Sequence, residues 1–153
     1  MSATPPERPR GLLINTWIAS ELVDVVLSKN LAQDGVDGAF YGTLSVIGVW
    51  GPLTPSEVAD MTGAPLTTVS DRLRRMVADG DVERVEHPDD GRSHHVRLTE
   101  AGDAHWRQGW PALRRTIEQV EANLEQPVDV VESALEDLIA ALRKASAAPS
   151  PVS

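Results

Sequence analysis

Hydroxyl and guanidinium side chains recur on one side of a helix that the sequence predicts over residues 66–78. The residues on that side are Thr67, Thr68, Asp71, Arg74 and Arg75. A threonine offers a hydroxyl and a methyl group to base edges, and an arginine pairs bidentately with guanine or with phosphate. These residue types suit the major groove of DNA. An ordinary solvated helix face has a similar composition, so the helix alone leaves both interpretations open.

The other side of this helix is apolar and should pack in a core. It carries Leu66, Val69, Leu73, Met76 and Val77. A turn at Gly63-Ala64-Pro65 precedes the helix, and Gly80 ends it as a left-handed cap residue. The helix should therefore be a rigid support for whatever its polar side contacts.

A shorter helix comes before this turn, and a hairpin follows Gly80. Thr54-Pro55-Ser56-Glu57 has the pattern of a capping box with proline in the first turn, so a helix should run from there to about Met61. Residues 82–87 and 94–98 alternate around the turn sequence Pro88-Asp89-Asp90-Gly91, which predicts a β-hairpin. Two short helices, a tight turn and a hairpin form the winged helix-turn-helix plan.

The hairpin adds a second candidate contact with DNA. Arg92 lies just past its tip, where an arginine can enter the narrow and electronegative minor groove. Asp90 is close enough in sequence to orient that side chain. Together with the helix, this arginine favours a DNA-binding interpretation.

Helical periodicity also flanks this lobe. Residues 11–32 and 37–50 have apolar residues at three- and four-residue steps. Thr99 should cap a long helix that Pro111 kinks or breaks and that Gln126-Pro127 ends. A last helix over about 128–144 carries a heptad-like seam. The expected fold is mainly α with a small β-hairpin wing.

We expect one regulator domain over residues 10–145, between disordered tails at 1–9 and 146–153. Its DNA-binding lobe should span about 52–99. The helices at about 11–33 and 100–145 should form a homodimer, because their apolar seams cannot be buried within one subunit.

Charge and composition exclude several classes of protein. The net charge of −9 argues against a nonspecific nucleic-acid coat protein. Residues 65–98 are the least acidic part, with six Lys/Arg against seven Asp/Glu, so DNA should bind there. The absence of cysteine excludes disulfides and thiolate zinc sites. The chain has no signal-peptide core and no membrane-length apolar run, so a soluble cytoplasmic protein is expected.

Residues 53–102 resemble the MarR family of regulators. The stretches that carry the resemblance are Leu53–Ala59, Val69–Met76, Gly80–Arg84, Asp90–Ser93 and Leu98–Gly102. The resemblance implies a triangular dimer whose terminal helices intertwine and whose operator is pseudo-palindromic. It also implies that Arg92 is the wing arginine and Asp90 its partner. On the helix itself we expect Arg72 and Arg74 nearer the DNA backbone, and the base edges to be contacted by Thr67, Thr68, Asp71 and Arg75.

The sequence departs from the family pattern at two positions. Asp71 stands where many relatives have a basic residue, and Gly91 stands where a second wing arginine often appears. An aspartate accepts a hydrogen bond from cytosine but repels phosphate. Both departures should reduce nonspecific affinity for DNA.

In the resembled family, effectors often bind between the dimer helices and the DNA-binding lobe. Trp17, Tyr41, Trp50 and Trp106 could line such a pocket for a small aromatic effector, or they could simply pack in the core and interface. The histidines, His87, His94, His95 and His105, lack the spacing of a metal site, and neither a metal nor a cofactor is expected.

No catalytic motif stands out, so an enzyme is not expected. The expected function is a dimeric repressor that a small molecule releases from DNA. The alternative, motivated by the net charge and by Asp71, is an acidic winged helix that binds a protein partner instead of DNA.

Overall fold

The computed structural model describes residues 11–38, 40–86 and 94–147. Within these residues it contains six α-helices and one two-stranded antiparallel sheet. In chain order the elements are α1 (Leu12–Gln33), α2 (Tyr41–Trp50), α3 (Pro55–Thr62), α4 (Leu66–Ala78), β1 (Val82–Glu86), β2 (His94–Leu98), α5 (Glu100–Glu121) and α6 (Val128–Ala147). This order confirms the predicted class, mainly α with a hairpin wing.

The chain divides into two compact units. The first runs up to Thr116 and the second begins at Ile117. The first unit therefore holds α1 to α4, the hairpin and most of α5, and the second holds the end of α5 and all of α6. The predicted tail at 1–9 and the part of the predicted C-terminal tail after Ala147 lie outside the described residues.

The core of the first unit draws on almost every element. Its buried apolar residues are Leu31, Val36, Tyr41, Leu44, Ile47, Leu53, Val58, Val69, Leu73, Met76, Val82, Val96 and Ala112. Because α3, α4 and both strands each contribute to this one cluster, burial of apolar surface holds the two short helices against the hairpin.

The predicted capping box is present at the start of α3. The Thr54 hydroxyl oxygen accepts a hydrogen bond from the Glu57 amide at 3.2 Å, and the Glu57 carboxylate accepts one from the Thr54 amide at 2.7 Å. Pro55 occupies the first helical position, where its missing N–H costs nothing. These local contacts fix where the first short helix begins.

The two strands pair with Val82 opposite Leu98 and Glu86 opposite His94. A third segment joins them, because Leu53 and Val96 exchange backbone hydrogen bonds of 3.1 and 2.7 Å. The sequence pattern did not predict this bridge. It ties the residue before the Thr54 cap directly to the second strand of the wing.

Two helix boundaries and one core residue differ from expectation, and Pro111 does not break its helix. Helix α2 begins only at Tyr41, after Phe40 adopts a left-handed conformation with φ of 63°. Helix α5 continues without a break through Pro111 and ends at Glu121, before Gln126-Pro127. Core packing by neighbouring residues such as the buried Ala112 outweighs the lost hydrogen bond. Leu66, predicted as core, is 48% exposed.

The second unit leaves much of its apolar side chain surface uncovered. Residues of the predicted seam in α6 are exposed at Leu135 and Leu142 and half-buried at Val131 and Leu138. Val130 and Ile139 on the same helix are also exposed. None of the residues described in α6 is buried.

Candidate nucleic-acid interface

Helix α4 is fixed on one side and open on the other. Val69, Leu73 and Met76 are buried in the core of the first unit. They lie at steps of four and three residues and so share one face of the helix. The opposite face carries four exposed side chains, those of Thr67, Asp71, Arg74 and Arg75. The predicted polar face is therefore exposed along the whole length of a helix that packing holds in place.

Two of the exposed side chains on α4 pair with each other. The Arg74 guanidinium donates a hydrogen bond to the Asp71 carboxylate at 2.8 Å, across one turn of the helix. Both side chains remain largely exposed, so the pair contributes little to stability. Its effect is on charge and orientation, because Asp71 neutralises Arg74 locally and holds its guanidinium in one position.

The other two predicted residues of α4 are less exposed than these four. Thr68 and Arg72 are half-buried. The Arg75 guanidinium lies over the Phe40 ring, with 6.0 Å between its carbon atom and the ring centroid. This contact joins the last turn of α4 to the residue that precedes α2.

The end of α4 is joined to the hairpin and to α5 by a compact set of polar contacts. Gly80 takes the left-handed conformation that the sequence predicts, with φ of 83°. The Thr99 hydroxyl donates to the Gly80 carbonyl at 2.5 Å and accepts from the Gly102 amide at 3.0 Å. The predicted cap at Thr99 is thereby confirmed. His105 Nδ1 lies 3.1 Å from the Asp81 carboxylate, a second link between the hairpin entry and α5.

Gly102 is required for this junction. A Cβ atom at Gly102 would collide with the Asp81 carbonyl oxygen, so any larger residue would push α5 away from the start of the hairpin. The Thr99 amide donates to that same carbonyl at 3.0 Å. These contacts join the end of α4, the hairpin entry and the start of α5.

The strands of the hairpin carry charge of both signs. Arg97 donates a hydrogen bond to Glu83 at 2.7 Å across the strand pair, and Arg84 is exposed. The predicted wing residues Asp90 and Arg92, and also His87, lie outside the described residues. The structure therefore describes the two strands that hold the wing but not its tip.

A cavity of about 600 Å³ opens on the first unit between α2 and α5. Its lining residues are Gly48, Val49, Trp106, Arg107 and Trp110. The rings of the two tryptophans meet edge to face at 5.9 Å, and the Arg107 guanidinium lies 6.0 Å from the Trp106 ring centroid. The cavity thus combines aromatic walls with one cation.

Two details fix the chemistry of this cavity. The indole N–H of Trp106 is buried and finds no hydrogen-bond partner among the residues that the structure describes. Arg107 donates to Asp103 at 2.7 Å, and that hydrogen bond raises the pKa of the guanidinium above its ordinary value. Arg107 therefore supplies a positive charge at the wall of the cavity.

Residues 34–93, which include α2 to α4 and the first strand, match the model of the MarR family. Over these residues the chain is similar to the MarR family, and its fold is that of a winged helix.

Solved structures share this fold over most of the chain. The MOSR regulator of M. tuberculosis, in complex with DNA, is 24% identical and superposes with a TM-score of 0.77, covering 89% of this chain and 98% of that one. A mutant MarR of E. coli complexed with operator DNA is 24% identical, with a TM-score of 0.70 and coverage of 83% and 94%. Apo MarR of E. coli is 24% identical, with a TM-score of 0.63 and coverage of 86% and 98%. Among curated proteins, no relative matches the chain.

The four aromatic residues predicted to line an effector pocket lie in different environments. Trp106 lines the cavity. Tyr41 is buried behind it, where burial raises the pKa of its hydroxyl, which donates to the Trp106 carbonyl at 2.7 Å. Trp17 and Trp50 are 65% and 58% exposed.

Sequence reasoning missed three members of the cavity, Gly48, Val49 and Arg107, and did not choose Trp110. Gly48 is the one of these residues that the sequence could have indicated. In the structure, a Cβ atom at this position would lie 2.7 Å from the Trp106 ring. A glycine inside an otherwise apolar helix marks a place where another side chain approaches closely. The sequence could not say which side chain that is.

The described part of the chain has no group of three or more His, Cys, Asp or Glu side chains that could hold a metal ion. Over the same residues, no helix is both long enough and apolar enough to cross a membrane.

Proposed function

We propose that this protein is a sequence-specific DNA-binding transcription regulator. The observation that carries the proposal is helix α4. Its apolar face is buried with α3 and the hairpin, and its exposed face carries hydroxyl and guanidinium groups. A helix held in this way can enter the major groove with its side chains already positioned. Two structures with the same fold, MOSR and a mutant MarR, contain DNA.

In this proposal α4 reads the base edges and the wing contacts the minor groove. Thr67, Thr68, Asp71 and Arg75 would reach the bases, and Arg72 and Arg74 would contact the backbone. The pair between Asp71 and Arg74 adds a constraint, since a phosphate must compete with a carboxylate at 2.8 Å for that arginine. Arg92 would enter the minor groove, oriented by Asp90.

The proposed active form is a homodimer on a pseudo-palindromic operator. Helix α1 exposes a row of large apolar residues, Leu12, Leu13, Trp17, Ile18 and Leu22. Helix α6 exposes another, Leu135, Ile139 and Leu142. Exposed apolar area of this extent is typical of a protein–protein interface. Two recognition helices spaced by one helical turn of DNA, about 34 Å, could then contact both half-sites.

We propose further that the protein is a repressor released from DNA by a small aromatic effector. The cavity beside Trp106 supports this step, because aromatic walls and a charged Arg107 suit an aromatic acid or phenol. Helix α2 lines this cavity and also follows Phe40, which contacts Arg75 of α4. A ligand that shifts α2 would therefore act on the reading helix.

A binding role fits the chain better than catalysis. The polar residues of α4 form an open face and not a closed site, and we propose no enzymatic activity. Since its proposed target is genomic DNA, the protein should work in the cytoplasm.

A protein-interaction module is the second candidate. The net charge of −9 and the neutralisation of Arg74 by Asp71 favour it, because both reduce attraction to phosphate. In that case α4 would contact an uncharged or basic protein surface.

A gel shift on the DNA that flanks the protein's own gene separates the two candidates. For a DNA-binding regulator, the logarithm of the affinity should fall linearly with the logarithm of salt concentration. Arg74→Gln should weaken binding and reduce that slope, whereas Lys144→Gln, at the far end of α6, should leave both unchanged. An absence of any shift at low salt, with the dimer intact, would contradict DNA binding and favour the protein-interaction candidate.

A further inference from the structure

The first residue of α4, Leu66, has an environment that periodicity does not predict. It precedes Val69 by three residues and Leu73 by seven, both of which are buried, so it should continue their row. It is nevertheless 48% exposed. Ala64 before it and Val77 after it do pack against the core. The first turn of α4 therefore presents a large apolar side chain to solvent.

The neighbours of Leu66 are the residues proposed to contact bases. Thr67 follows it and is exposed, and Thr68 is half-buried. Arg74, seven residues after Thr67, lies on the same flank of the helix as Thr67 and is exposed as well. In helix-turn-helix proteins, the residues at the N-terminal end of the reading helix contact base edges. Leu66 occupies that end.

A leucine can read only one feature of the major groove. It has no hydrogen-bond donor or acceptor, and the apolar group exposed there is the C5-methyl of thymine. Burying that methyl against the leucine removes apolar surface from water on both sides.

We propose that Leu66 is a specificity-determining residue that contacts a thymine methyl group in each half-site of the operator. The inference rests on the proposed DNA-binding function and adds to it a feature of the DNA sequence, a thymine opposite the start of α4. The hydroxyl and guanidinium groups further along the helix read hydrogen-bonding positions, so Leu66 supplies the apolar part of the readout.

The test couples the leucine to the methyl group. Duplexes that bind the full-length protein are first selected from a randomised pool. Each thymine of the selected half-site is then replaced by uracil, in both half-sites together, which removes the methyl and keeps the base pair. Affinity for both duplexes is measured with the unaltered protein and with Leu66→Ala.

At one thymine position, uracil should weaken binding of the unaltered protein by about fourfold for each half-site. Leu66→Ala should bind the thymine and uracil duplexes equally. Met61→Ala is the matched control, since Met61 is an apolar residue of similar exposure, 40%, on the neighbouring helix α3. It should keep the full response to uracil. Circular dichroism should show that both variants fold, because both side chains are at the surface.

Two results would overturn the inference and they are distinguishable. If the protein selects duplexes but no uracil substitution weakens binding, or if Leu66→Ala keeps the full response to uracil, Leu66 is an ordinary surface leucine and the DNA-binding function stands. If the folded dimer selects no duplex at all, the proposed function fails and the role of Leu66 fails with it.

Discussion

The Arg75 guanidinium lies over the ring of Phe40, with 6.0 Å between its carbon atom and the ring centroid. Phe40 holds its ring there from a left-handed backbone conformation that residues other than glycine seldom adopt. The contact links the last turn of α4 to the residue from which α2 begins. Because α2 also lines the aromatic cavity, this contact connects the reading helix α4 to the helix that forms one wall of the cavity.

Phe40→Leu should keep the apolar contact and lose the attraction between ring and cation. A double-mutant cycle with Arg75→Gln should give a coupling of about 0.5–1 kcal/mol in the free energy of unfolding. Urea denaturation of the four proteins measures it. The matched cycle with Arg74→Gln should give no coupling, because Arg74 pairs with Asp71 instead. Equal coupling energies in the two cycles would show that the Phe40 ring stabilises the protein by packing alone, without a specific attraction to Arg75.

Asp71→Asn should strengthen nonspecific binding to DNA. The change removes a negative charge from the exposed face of α4 and frees Arg74 for phosphate, so the salt dependence of binding should steepen by about one unit of slope. Titration of a random-sequence duplex over a series of salt concentrations measures this. Glu125→Gln removes a charge outside α4 and should leave the slope unchanged. The duplexes selected by Asp71→Asn should also differ in sequence, and identical selections would exclude Asp71 from base readout.

Arg92→Ala should weaken operator binding by about 1–3 kcal/mol, as expected for loss of one good groove contact. Arg84→Ala, which removes an exposed arginine from the first strand of the hairpin, is the control and should cost less. Fluorescence anisotropy with a labelled operator gives both values. Unchanged affinity in Arg92→Ala would refute the assignment of this residue to the wing contact.

Light scattering at micromolar concentration should report about twice the chain mass. The double variant Leu135→Asp and Ile139→Asp places charges in the exposed apolar row of α6 and should abolish the dimer, because burying an unpaired charge in an interface is costly. Glu136→Gln, on the same turn, should remain dimeric. A folded monomer of the unaltered protein would contradict the proposed assembly.

Gly48→Ala should remove the effector response and spare DNA binding. Its added methyl would lie 2.7 Å from the Trp106 ring, so the ring must move into the cavity. Gly42→Ala, on the same helix, meets no atom within 4 Å and serves as the control. A screen of small aromatic acids and phenols should find compounds that shift tryptophan emission and release the operator. If Gly48→Ala responds to them as the unaltered protein does, they bind elsewhere.

Local signals in the sequence predicted the elements that hold the reading helix. The capping box at Thr54 and the left-handed Gly80 depend on a few adjacent residues, and the bounds of α4 followed from them. Features that depend on contacts between residues far apart in the sequence were not predicted. The exposure of Leu66 depends on whether another element covers the first turn of α4, and periodicity contains no information on that point.

The cavity is a second case of this kind. Gly48 and Arg107 come together only because α2 packs on α5, whereas Trp17 and Trp50 looked equally suitable in the sequence. Pro111 shows the opposite effect: of the two predicted outcomes, a kink or a break, the break does not occur, because packing of the buried Ala112 beside it holds the helix together. Local chemistry therefore predicted the framework of the candidate interface, and tertiary contacts decided which side chains it exposes.

The two hydrogen bonds between Leu53 and Val96 have a consequence for how the wing unfolds. A free two-stranded hairpin frays readily, and its amide protons exchange with solvent in local opening events. Here the Val96 amide is bonded to a residue whose side chain belongs to the main core, so opening the second strand at that point requires the core to open as well. In deuterium oxide the amides of Val96 and Leu53 should therefore exchange as slowly as those of α4, while amides nearer the ends of the strands exchange quickly.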